Sequence, residues 1–219
     1  MSPLSALIIA VTIALPIIFL VYSSKMEKKR KAELRQAAEL LKLTYQEGDH
    51  PDLLSSMEKF KTFSRGERSR KISNLMSGKT EDLALKIFDY RYRTGSGKNS
   101  TTHFHTIVHV KSSLMNLPAF SLTPESIFHK IGDFFGVKDI DFDMYPEFSK
   151  QYLLKGTEEE AIRKLFNREK LMFFTDNPQF SVEGQNDEMI IFKNHGRVKV
   201  PELQQFFTES LKISHLFMG

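Results

Sequence analysis

Three histidines, His103, His105 and His109, sit at odd-numbered positions of one segment. Imidazoles spaced this way on a strand share a face, where they can hold a metal ion or, beside a carboxylate such as Asp89, move a proton. The segment also alternates Thr102, Phe104, Thr106, Val108 and Val110 against His103, His105, Ile107, His109 and Lys111. That pattern places the apolar set inward and the histidines on the solvent side of a half-buried strand. No acidic residue stands near them in sequence to orient the rings.

Two further motifs fail on spacing. GSGKNS at 95–100 lacks the Gly expected six residues before Lys98, where Tyr92 stands, and the Ser or Thr after it, where Asn99 stands. Both flanks read as strands, so a hairpin turn is expected in place of a phosphate loop. Asp139, Asp141 and Asp143 open like a calcium loop, but its sixth position would be Met144 and its twelfth Lys150. Gly and an acid are required there, so an acidic turn is expected. There is no Gly-x-Ser-x-Gly elbow, and with no Cys a thiol nucleophile, a thiolate metal site and a disulfide scaffold are all excluded.

These residues must be carried by a mostly antiparallel sheet. Strands are expected at 72–76, 83–92, 102–111, 117–122, 150–154, 179–183 and 188–193, with turns at TGSGKN (94–99) and GQND (184–187). Thr123-Pro124-Glu125 starts a helix to about 135, Thr157 and Glu160 form a capping box for one through Phe166, and Asn167 caps another to about Phe174. Pro201 to Leu216 closes the chain as an amphipathic helix. The fold class expected for 72–219 is α+β: a curved sheet with inserted and terminal helices, in a pleckstrin-homology-like arrangement plugged by the last helix.

The front of the chain is of another kind. Pro3 to Tyr22 contains no charged residue, and its 20 positions as a helix cover about 30 Å, the thickness of a hydrocarbon core. Nothing basic precedes it, while Lys25, Lys28, Lys29, Arg30 and Lys31 follow, so a retained transmembrane anchor (1–24) with a cytoplasmic C-terminal part is expected. The same five residues are candidate contacts for anionic lipid. Residues 26–45 carry Leu34, Ala37, Ala38, Leu41 and Tyr45 on one helical face. Residues 46–71 read as a turn, a short helix at 52–60 and a basic linker.

The net charge of +4 is concentrated at 25–35 and 58–71, each +4, whereas the chain from Ile72 onward has 18 basic and 19 acidic residues. A near-neutral body does not supply the field that nucleic-acid binding needs.

The phrases NLMSG (74–78), FDYRYRTGSGK (88–98), LPAFSLTPE (117–125), DIDF (139–142), PEFSKQYLLKG (146–156) and VEG (182–184) resemble, in this order, a group of bacterial single-pass membrane proteins of unknown function. That resemblance implies an N-terminal span and a cytoplasmic α+β domain, and it carries no catalytic residue. The expectation is an inner-membrane binding or scaffolding module that needs no cofactor, with the bilayer and an unidentified protein as its partners. A tethered hydrolytic or metal-dependent enzyme built on His103, His105 and His109 is the alternative.

Overall fold

The computed structural model describes residues 3–64, 68–126, 139–193 and 196–218, without the side chains of 3–11, 13 and 68. Its centre is one eight-stranded sheet in which every neighbour is antiparallel. The strands are β1 (Thr44–Gln46), β2 (Arg68–Lys79), β3 (Leu83–Thr94), β4 (Thr101–Ser112), β5 (Leu117–Pro124), β6 (Tyr152–Gly156), β7 (Phe180–Asn186) and β8 (Glu188–Lys193), in the order β1-β2-β3-β4-β8-β7-β5-β6. The expected α+β class therefore holds. The β7–β8 hairpin turns on Asn186 and Asp187, with Asn186 at φ 55°, the left-handed geometry that two-residue turns demand.

The helices are α1 (Pro3–Leu40), α2 (Pro51–Met57), α3 (Lys61–Ser64), α4 (Pro146–Gln151), α5 (Glu159–Leu165), α6 (Arg168–Asp176) and α7 (Leu203–Leu216). The cap expected at Asn167 is present: its side chain accepts the Lys170 N–H at 3.2 Å and opens α6. The helix expected at 124–135 falls mostly outside the described residues. Lys150 lies in α4, so β6 begins two residues later than expected. The uncharged run and the first part of the amphipathic segment form a single helix, α1, which ends at Leu40; Tyr45, expected on its apolar face, lies instead in β1, paired with Met76 of β2.

Both sheet faces are covered. One face, with Leu85, Ile87, Val108, Val110, Met189 and Ile191, packs against Leu34 and Ala38 of α1, Phe148, Ile162, Phe174 and Phe206. The other, with Ile72, Phe88, Tyr90, Ile107 and Ile190, is capped by Leu53 and Met57 of α2, Phe60, and Phe63 of α3. Residues 51–64, expected as part of a linker, are thus built into the fold, because the spacing of Leu53, Met57, Phe60 and Phe63 makes an apolar stripe that the sheet buries. Thr62 fixes this cap: its N–H and hydroxyl both donate to the buried Glu183 carboxylate, the hydroxyl at 2.7 Å.

Phe63 is fully buried with its ring centroid 4.4 Å from that of Tyr90. Phe63→Ala should cost about 3–5 kcal/mol in denaturant unfolding of the full chain; a loss below about 1 kcal/mol would mean that the cap is not part of the folded core.

Candidate functional site

The Asp89 carboxylate of β3 gathers hydrogen bonds from three side chains. A β-bulge between Ser73 and Met76 puts Asn74 at φ 57° and turns its amide toward this carboxylate. Asn74 Nδ2 donates to Oδ2 at 2.9 Å and the Thr106 hydroxyl to Oδ1 at 2.9 Å. The Tyr45 hydroxyl in turn donates to Asn74 Oδ1 at 3.0 Å. Arg30 of α1 then closes the site as a two-pronged pair, Nε to Oδ2 and Nη2 to Oδ1, both at 2.8 Å. Its remaining nitrogen, Nη1, donates to the Val198 carbonyl at 2.8 Å. The two side chains are 13% and 5% exposed, so this is an ion pair taken largely out of water. One turn up the helix Glu27 pairs with Arg197, whose guanidinium lies 4.8 Å over the Phe104 ring.

Arg30, a candidate lipid contact, is turned inward and bonded to Asp89. It continues the Leu34–Ala38 stripe back by one turn, so its side chain points into the domain. Lys25, Lys28 and Lys29 are exposed, Lys29 lying 3.7 Å from Glu33, and Lys31 pairs with Glu47 at 2.7 Å.

The histidines lie on the opposite face of the sheet from Asp89. Strand register pairs Asp89 with Thr106 and Tyr90 with His105, so Asp89 shares a face with Thr106 and cannot orient His105 or His109. This removes the carboxylate invoked for a catalytic centre. His105 and His109 are also not solvent-facing: they are 8% and 3% exposed because α2 and α3 cover that face. His103 stacks on Tyr92, its Nε2 2.8 Å from the Thr94 hydroxyl.

His109 instead meets Glu188 of β8, Nε2 to Oε2 at 2.9 Å, and Lys59 and Lys111 reach the same carboxylate at 2.7 and 2.9 Å. The His109 hydrogen bond, with the two ammonium groups, holds Glu188 well below the usual carboxylate range despite burial. Burial pushes the His109 imidazole down. Its Nδ1 has no hydrogen-bond partner among the described residues, so the neutral ring with its proton on Nε2 is the form that fits. The cluster is a charge-satisfied lock between the α2–α3 cap and the sheet.

Among the described residues no group of three His, Asp or Glu side chains is placed to hold a metal. Asp139 serves a turn, its Oδ1 accepting the N–H of Leu154 at 2.8 Å and of Ile140 at 3.0 Å. GSGKNS forms the tip of the β3–β4 hairpin, with Gly95 and Gly97 at φ 74° and 56° and both flanks in strands, as expected. A cleft of about 160 Å³ opens where Lys59 and Lys61 of the cap approach Lys155, Phe120 and Glu183. Sequence reasoning missed Glu183 and Glu188; Glu183 follows Val182 in the middle of β7 and Glu188 opens the apolar run MIIF of β8, the one signal that could have marked them.

No protein-family model and no curated protein matches the chain. The chain is similar in structure to the crystal structure of the mycobacterial trehalose monomycolate transport factor A, TtfA, at 12% identity and a TM-score of 0.59, over 86% of this chain and 92% of that one. At this identity the likeness is one of fold.

Two outcomes follow. Asp89→Ala leaves Arg30 buried and unpaired and should lower stability by about 3–5 kcal/mol in chemical unfolding; a change under about 1 kcal/mol would show the pair to be ornamental. Because the folded form of His109 resists protonation and that of Glu188 stays ionised, the unfolded chain binds more protons below the ordinary histidine value near 6.5, so stability is full above it and is lost on acidification. The thermal midpoint should fall between pH 7 and pH 5, less steeply in His109→Gln; equal slopes would contradict the assignment.

Proposed function

We propose that the chain is a single-pass inner-membrane protein whose α+β domain works in the cytoplasm as a binding or scaffolding module. The observation that supports this best is α1 itself. Leu15, Ile17, Ile18, Phe19, Leu20, Val21 and Tyr22 are 51–68% exposed. At about 100° per residue, consecutive positions point all round the helix, so no single partner face can cover them. A bilayer can. Among the described residues no helix is long and apolar enough to cross a membrane; the anchor rests on the uncharged run Pro3 to Tyr22, which makes up the N-terminal half of α1. Pro16 within it is tolerated in lipid, where neighbouring groups re-satisfy the freed carbonyl.

The basic residues after the run resist translocation and favour a cytoplasmic domain. TtfA is named as a transport factor. That fits a module acting through what it holds, as does a pair of polar clusters whose charges are already internally matched.

Alkaline-washed membranes should retain the full chain, and protease should degrade the domain in inside-out vesicles while sparing it in intact spheroplasts. Release by alkaline carbonate, or cleavage from the outer side, would overturn this reading.

A further inference from the structure

The ion pairs along α1 fix how far up the helix the rest of the domain reaches. Leu43, just past its end, contacts Gly78, which is level with Leu85 on β3; Arg30 meets Asp89; and Glu27 meets Arg197, which stacks on Phe104, the register partner of Arg91. Moving toward the N-terminus of α1 is therefore moving up β3 toward its hairpin with β4. From Arg91 to Gly95 the strand climbs about 13 Å, at about 3.3 Å per residue. The same rise on α1 is about nine residues above Glu27, so the hairpin tip stands level with the last turn of the uncharged run.

The tip has the chemistry of that position. Arg91, Arg93 and Lys98 are exposed and in no ion pair among the described residues. No acidic residue occurs between Asp89 and Glu125. Gly95 could not carry a side chain, since a Cβ there would lie 2.6 Å from the Asn99 carbonyl, and this keeps the turn narrow. Arg93 hydrogen-bonds to the Ser100 hydroxyl, which donates to the Gly97 carbonyl at 3.0 Å. Phe104, 37% exposed beneath Arg197, adds an apolar edge on the same side.

We infer that the β3–β4 hairpin tip is a second membrane contact, taking anionic phospholipid headgroups through Arg91, Arg93 and Lys98 beside the point where α1 enters the bilayer. This rests on reading α1 as the anchor. With two contacts the domain would be held at one tilt, its hairpin against the leaflet.

The chain has no Cys, so single labels are unambiguous. Full-length Ser96→Cys, carrying an environment-sensitive fluorophore, is reconstituted in phosphatidylcholine vesicles with and without phosphatidylglycerol; Glu81→Cys, at the opposite end of β3, is the control. The Ser96 label should be shielded from aqueous quencher only when phosphatidylglycerol is present, and the Glu81 label never. Neutralising Arg91, Arg93 and Lys98 to Gln should weaken docking by about a hundredfold and abolish the shielding, with the chain still floating with the vesicles. A floating chain whose Ser96 label is as accessible as that at Glu81, or equally shielded in neutral vesicles, overturns the headgroup contact and leaves the anchor standing. A chain that fails to float removes the anchor and this inference together.

Discussion

A carboxylate and a guanidinium removed from water hold this molecule in its one arrangement. Each alone would be costly to bury, so the fold tolerates Asp89 only with Arg30, and Arg30 only with Asp89. Replacing both by apolar side chains would not obviously cost stability; what the pair adds is geometry. A two-pronged bond with a third prong on the Val198 carbonyl permits one rotation and one height of α1 on the sheet, whereas Leu34 and Ala38 alone would tolerate sliding. The strand bulge at Asn74 and the hydroxyl of Thr106 complete the same carboxylate, so β2, β3, β4 and the segment before α7 converge on it.

From that constraint the division of the sheet into two faces follows. One face takes α1 and the helices α4 to α7; the other is closed by α2 and α3 through Phe60, Phe63 and the buried Thr62–Glu183 bonds. Both are occupied, so the histidines find themselves under a lid of the protein's own making. Their environment is that of locked core groups, and among the described residues a cleft lies at the rim near Lys61 and Lys155.

All the strands except β1, which falls at the end of the segment expected as helix, and most helices were legible because their signals are local: alternation in β4, the turn residues of the β7–β8 hairpin, the cap at Asn167. Coverage of the second face was not, since His105 and His109 look polar until a segment 40 residues earlier is seen to pack on them. Nor was α4, whose few residues run straight into β6. For the site, the composition of 25–31 read as one basic cluster, and only the stripe that Arg30 shares with Leu34 separates its inward guanidinium from its outward neighbours. Asp89 was singled out for the wrong reason: strand parity, which depends on register with β4, puts it on the face away from the histidines.

If the Arg30–Asp89 pair makes α1 and the sheet one rigid body, the distance from the N-terminal half of α1 to the far end of β3 has a single value. Spin labels at Tyr22→Cys and Glu81→Cys in the reconstituted full chain measure it by pulsed electron resonance. A single narrow distance distribution, broadened or split by Asp89→Ala, is the outcome this account predicts. A broad distribution in the unaltered protein, no different after the substitution, would contradict it.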